Sequence, residues 1–396
     1  MSATPANGAR PVDPLRRPVA PGAGGLTPAR WSALFDEAAF RREAARSNAD
    51  LIPRPLAIAL RTVDGARFER LLREIELVAR LFDRDRDVLS LHVDCGAGGA
   101  LATHDLEVLA NSLDRHFHFA PRATRHISID IAAGSVRCGD LADCHALGFD
   151  GVAFAAADAD ANAARAVELA RREGMRSVSV DSTLTGPCVP ADLLASRPDV
   201  ITCLLPRAST YESAIGDLED VAKQLGGADY GGIGLDLRAL PWLDATGPVR
   251  ISAVSRGAQL PGTEPHIDLI GLGIGAVSRI HDAVCQNYPD AERWVGALDA
   301  AGLPVWRGLV LDSDEQLRME VIGELLRAGE VAIDAMERRF GIDFHRHFSP
   351  ELAQLRAAFG DLVEAGPYCL RVTSQGRLAL RIIAACFDKP GRRPHP

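Results

Sequence analysis

No stretch of this sequence approaches the ~20 consecutive apolar residues that a bilayer crossing requires, and the first residues carry no apolar signal core, so secretion is not expected. Aromatic residues make up only 5% of the 396 positions, too few for a large stacking platform. A basic excess is also missing. Lys and Arg total 44 against 53 Asp and Glu, a net charge of -9, and neither a basic stripe nor a nucleic-acid motif stands out. There is no Walker loop, no His-Glu-x-x-His and no Ser–His–Asp order. Eight cysteines occur, at 95, 138, 144, 188, 203, 285, 369 and 386, yet none precedes Cys95. The closest pair, Cys138 and Cys144, fits no metal knuckle. They read as small, buried, reduced thiols, in keeping with a cytoplasmic protein. The histidine pairs His116/His118 and His345/His347 sit two apart, a spacing that splits ligands between helix faces.

What is present is a long alternation. After a Pro-, Gly- and Ala-rich tail over 1–30, read as mobile, a helix is expected from Thr27, carrying Trp31, Leu34, Phe35 and Phe40. Strand candidates follow at 56–60, 88–93, 126–131, 151–154, 177–181, 200–205 and 233–237. They are separated by amphipathic stretches at 68–82, 105–117, 161–173 and 211–225. Strands regularly spaced by helices predict an α/β fold with a parallel sheet, either a partial (β/α) barrel or a doubly wound sheet. The charge mixture of Arg67–Glu76 reads as a solvated helix face. After Pro261 helices are expected to dominate, at 290–301, 313–328, 333–340 and 350–365, before a short strand at 370–372. That pattern suggests a winged-helix-like module. The expected divisions are a tail at 1–30, a barrel at 31–260, a C-terminal cap at 261–390 and a tail at 391–396.

The run Asp268-Leu-Ile-Gly-Leu-Gly-Ile-Gly-Ala-Val-Ser-Arg-Ile280, followed by Val305-Trp-Arg-Gly308, Arg318-Met-Glu-Val-Ile322 and Val372-Thr-Ser-Gln-Gly-Arg-Leu-Ala-Leu-Arg-Ile382, resembles the C-terminal third of the oxygen-independent coproporphyrinogen III oxidases. The resemblance implies a partial barrel of radical S-adenosylmethionine (SAM) type with a mostly helical cap. It also implies a [4Fe-4S] cluster held by a Cys-x3-Cys-x2-Cys loop after the first barrel strand. Here that strand, Pro55–Leu60, runs straight into Arg61-Thr-Val-Asp-Gly-Ala-Arg67. The resemblance also marks positions around a SAM site. These are Gly96, Gly98 and Gly99 in a degraded glycine turn, Asp130 in place of a longer Glu, Asp181 at a strand end, and Gly275, Ala276 and Val277 in the glycine loop. Arg279, Arg307 and Arg318 are candidates for pairing with the propionates of a tetrapyrrole, since guanidinium forks fit carboxylates.

The expectation is a homologue without the cluster and without radical chemistry, needing no cofactor. It would be retained to bind a tetrapyrrole or haem, or to regulate a full-length paralogue. No nucleic acid or membrane partner is expected. The alternative is an active coproporphyrinogen III dehydrogenase that decarboxylates coproporphyrinogen III oxidatively to protoporphyrinogen IX. It would use SAM and a cluster on non-standard ligands such as Cys95 with Cys138 or Cys188.

Overall fold

The computed structural model describes residues 31–95, 102–156, 161–184, 188–205, 211–235, 249–255 and 267–388. Its first helix, α1 (Glu37–Asn48), begins later than expected: Asp36 is the cap, accepting the Ala39 N–H at 2.9 Å. Thr27 lies outside the described residues. Trp31 to Phe35 precede the helix, and Ser32 pairs with Gly308 instead.

The alternation then unfolds as the sequence suggests. β1 (Leu56–Arg61), α2 (Phe68–Ala79), β2 (Asp87–Asp94), α3 (Thr103–His116), the short β3 (His118–Phe119), β4 (His126–Ala132), α4 (Cys138–Ala146), β5 (Gly151–Ala156), α5 (Ala161–Arg172), β6 (Ser177–Thr183), α6 (Ala191–Ser196) and β7 (Val200–Leu205) follow in turn. After α7 (Tyr211–Gly227) come β8 (Tyr230–Leu235) and β9 (Val249–Ser255), which were not both foreseen. β9 inserts antiparallel between β7 and β8. The chain then returns to the start of the sheet, where β10 (Asp268–Leu272) pairs in parallel with β1.

The helices expected after Pro261, at 290–301, 313–328, 333–340 and 350–365, are all present, and strands accompany them. β11 (Val277–Ile280), β12 (Ala283–Asn287) and, after α8 (Ala291–Asp299), β13 (Val305–Val310) extend the same sheet antiparallel, giving the order β13-β12-β11-β10-β1-β2-β4-β5-β6-β7-β9-β8. The sheet therefore runs well past residue 261. The small module starts at α9 (Ser313–Ala328), whose Asp312–Glu315 capping box satisfies its first turn. It continues with β14 (Glu330–Ala332), α10 (Ile333–Phe340), α11 (Phe344–His347), α12 (Ser349–Phe359), β15 (Val363–Ala365), β16 (Cys369–Val372) and α13 (Leu380–Ala385). β14, β16 and β15 form a small antiparallel sheet.

The two-residue period of each strand sorts the sheet's faces. Leu56, Ile58, Leu60, Leu91, Val93, Ile127, Ile129, Val152, Phe154, Val178, Val180 and Ile201 all belong to the main core on the helix-covered side. The opposite, concave face carries Ala59, His92, Asp94, Ser128, Asp130, Ala153, Asp181 and Thr202, as the parallel registers require. A second core, rich in Phe344, Phe348, Phe359 and Phe387, takes in Val284, and Leu269, Val277 and Leu309 pack against it. Those four residues share the concave face of β10–β13. The module is thus seated inside the curve of the sheet, and its α13 and the short turn Gln375–Ala379 reach β8 at the far edge.

Candidate functional site

In a barrel of parallel strands, ligand chemistry gathers where the strands end. At the end of β1 the chain turns at once. The Thr62 N–H donates to Asp94 O at 2.9 Å, and a short 3-10 turn, Gly65–Arg67, leads into α2. No sulfur occurs in this connection. The Arg61 side chain projects over the mouth instead. Its Nε lies 3.3 Å from Asp94 Oδ2, and its Nη1 lies 3.5 Å from Ile274 O.

The loop under that guanidinium is held from within. Gly273 has φ +100, and a Cβ there would fall 2.2 Å from Arg61 O, so only glycine fits against β1. The Gly275 N–H donates to Tyr288 O at 2.9 Å and the Ala276 N–H to Gly273 O at 3.3 Å, while the Asn287 N–H donates to Ala276 O at 2.9 Å. Gly275 and Ala276, both SAM-site candidates, therefore spend their N–H groups on the protein itself. The side chain of Val277, the third loop candidate, packs against the module's core.

Beneath the loop lies Glu74, which the sequence reading had placed on a solvated face. It is 1% exposed. Its carboxylate accepts from the Gly273 N–H at 2.9 Å, from Asn287 Nδ2 at 2.7 Å and from Trp294 Nε1 at 3.2 Å. Burial outweighs these bonds and pushes its pKa up to about 7. The signal was legible: Glu74 falls on the helical stripe of Leu71, Ile75 and Val78, all buried.

On the concave face, His92 and Ser128 sit opposite each other on β2 and β4. His92 Nδ1 is 2.9 Å from Ser128 Oγ, and its Nε2 is 3.5 Å from Asp130 Oδ2. Asp130 Oδ1 is buried with no hydrogen-bond partner among the described residues. Asp181 is half-buried two strands away, paired in register with Ala155 and Thr202. Asp94, Asp130 and Asp181 thus give this face three carboxylates. Gly96, Gly98 and Gly99 lie outside the described residues.

Each of the three candidate arginines has its own protein partners. Arg279 donates to Ile267 O at 3.0 Å; burial lowers its pKa, and nearby Glu320 partly offsets this. Arg318 braces the module through Asp314, Glu351 (2.8 Å) and Phe387 O (2.9 Å). Arg307 lies on the concave side, bonded to Gln286 Oε1 at 3.0 Å and 4.0 Å from the Trp306 ring centroid, with Trp31 behind it.

Among the described residues no three His, Cys, Asp or Glu side chains are placed to hold a metal ion. The thiols are scattered. Cys95 lies close enough to Cys144 to influence its charge, and burial pushes the Cys144, Cys203 and Cys285 thiols up to about 12 and Cys386 up to about 11. Cys188 is exposed and Cys369 half-buried. Of the histidine pairs, His118 is 3.5 Å from Asp87 and His347 is 2.8 Å from Asp314.

Comparison with known proteins bears on this geometry. No family model matches the chain. The oxygen-independent coproporphyrinogen III oxidase of Pseudomonas aeruginosa is 29% identical over 360 residues, covering 81% of this chain and 78% of the relative. The enzyme of that name from Salmonella typhimurium is 27% identical, with 81% and 78% covered, and that from Synechocystis is 28% identical, with 80% and 76% covered. The solved structure of Escherichia coli coproporphyrinogen III oxidase (HemN), described as a radical SAM enzyme, matches with TM-score 0.76 over 93% of this chain and 96% of that one, at 21% identity. The chain is a homologue of the oxygen-independent coproporphyrinogen III oxidases over most of its length. The α/β architecture, with its large parallel sheet and helices, is the fold of that solved structure. Against that background, the residues after β1 do not fit a [4Fe-4S] cluster. Arg61–Arg67 offer two guanidinium groups, a hydroxyl and a carboxylate where soft sulfur donors would be needed.

Proposed function

We propose that this member of the coproporphyrinogen oxidase family has given up radical SAM chemistry and serves as a tetrapyrrole-binding or regulatory protein of porphyrin metabolism. The observation that carries the reading is the connection from β1 to α2, where the Arg61 guanidinium reaches Asp94 and Ile274 and no thiol occurs. Electrostatics constrain the ligand's pose. Asp94, Asp130 and Asp181 would repel propionates, so an anionic tetrapyrrole would turn them toward Arg307, with the Trp306 ring beside it.

The test is anaerobic reconstitution of the purified protein with iron and sulfide, followed by titration with haem and with coproporphyrin. The expected result is no cluster absorbance near ~400 nm and a shifted Soret band on adding one of the tetrapyrroles, weakened in Arg307→Ala. About four irons per chain with cleavage of SAM would overturn the reading in favour of an active coproporphyrinogen dehydrogenase. Neither iron nor a Soret shift would remove the binding role.

A further inference from the structure

A carboxylate buried without a cation is costly and calls for a reason. Glu74 is such a group. Among the described residues its hydrogen-bond partners are neutral donors: the Gly273 N–H, the Asn287 amide and the Trp294 indole N–H. Charged groups on the surrounding elements are engaged elsewhere. Arg70 on α2 pairs with Asp299 of α8 and Arg73 bonds Leu298 O, while Arg61 bonds Asp94 and Ile274 O above the loop. Cys285 on β12 is held as a neutral thiol.

The hydrogen bonds form a closed circuit. Asn287 Nδ2 gives one proton to Glu74 Oε1 at 2.7 Å and another to Gly273 O at 2.9 Å, while the Gly273 N–H returns to Glu74 Oε2. Both backbone groups of Gly273 are thereby tied to α2 and β12. A proton on Oε1 would set two donors face to face. Asn287 could answer only by turning its amide oxygen toward Glu74, which withdraws its N–H from Gly273 O. A proton on Oε2 would confront the Gly273 N–H and the Trp294 indole instead. Either placement costs the loop a bond.

We propose that Glu74 is a proton-operated latch on the glycine loop between β10 and β11, fastening the loop as a carboxylate and loosening it when protonated. Its raised pKa, about 7, puts both forms within reach near neutrality. The proposal stands apart from any ligand of the barrel.

Trp294 supplies a reporter. Labelling the protein with 5-fluorotryptophan places fluorine on four tryptophans, and Trp294→Phe assigns the signal. Between pH 5.5 and 8.5 the Trp294 resonance is expected to titrate in one step, and the step to vanish in Glu74→Gln. Exchange of the Gly273 amide, corrected for its intrinsic pH dependence, is expected to be roughly tenfold faster in the protonated form, the scale of one lost hydrogen bond. A wild-type Trp294 signal that does not move across this range overturns the latch, whether or not the variant folds. So does an unchanged titration in a folded Glu74→Gln protein.

Discussion

At the end of the barrel where the strands begin, Asp268 takes the His281 N–H at 3.0 Å and the Arg86 guanidinium at 2.8 Å, with the Ser47 hydroxyl as a further donor. Asp150, at the start of β5, accepts the Ile127 N–H at 2.9 Å, with Arg176 at 2.9 Å and His126 at 3.2 Å. At the opposite end, among the described residues, Glu74 is buried with neutral donors alone, and Asp130 keeps one oxygen buried and unbonded. The lower end pairs charge with charge and serves stability. The mouth instead holds its carboxylates with fewer charged partners, so their protonation is less tightly fixed by the fold.

The sharpest way to break this contrast is to remove one charge at each end. Asp268→Ala leaves Arg86, whose side chain is 3% exposed, as an uncompensated buried cation. It is expected to cost about 3–5 kcal/mol in urea unfolding. Asp130→Asn, at a side chain 31% exposed, is expected to change stability by less than about 0.5 kcal/mol. Similar costs at the two positions would mean that the mouth is as much a structural element as the base.

Titration separates the ends by sign. Glu74 binds its proton more tightly in the folded protein, at about 7 against 4.5. Stability should therefore fall by about 3 kcal/mol as pH rises from 4.5 through 7, and Glu74→Gln should lack that slope. For Asp150, burial alone would raise the pKa, but the His126 and Ile127 hydrogen bonds and the Arg176 charge bring it below 3.8. Its contribution is present above that value and lost as pH falls through the folded pKa. Chemical denaturation at a series of pH values reads both limbs. A wild-type profile flat from 4.5 to 7, parallel to that of Glu74→Gln, would contradict the assignment of Glu74.

Much of the barrel was legible because its strands carry β-branched runs between amphipathic helices. The predicted 200–205 strand matches β7, and 126–131 falls within β4 (126–132). The hairpin β11–β12 was not, since its turn places His281, not glycine, at φ +51, and no Asn-Gly or Asp-Gly marks it. The Asp268 carboxylate that accepts the His281 N–H comes from a neighbouring strand, support that sequence spacing does not reveal. At the mouth, the missing thiols and the glycine loop could be read directly. Glu74 was missed because a charged residue among charged neighbours looks solvated unless its helical stripe is counted. His92 was missed because its partners come from β4, a register set by tertiary pairing.

The smallest expected effect concerns Arg61, whose side chain is 54% exposed and faces Asp94 at 34%. An open pair of this kind contributes about 0.2–1 kcal/mol and is screened by salt. Arg61→Ala should therefore lower stability by no more than that, and the difference should shrink further at high ionic strength. The glycine loop should hold its place in the variant, because Glu74, Asn287 and Tyr288 bind it from below. Hydrogen exchange at Gly273 and Gly275 is the direct measurement, and protection unchanged from wild type is the expected outcome. A loss above about 2 kcal/mol, or loop amides that exchange freely, would show that the guanidinium has become a structural clasp across the mouth. The contrast between a base built on paired charges and a mouth with few of them would then fail at the end of β1.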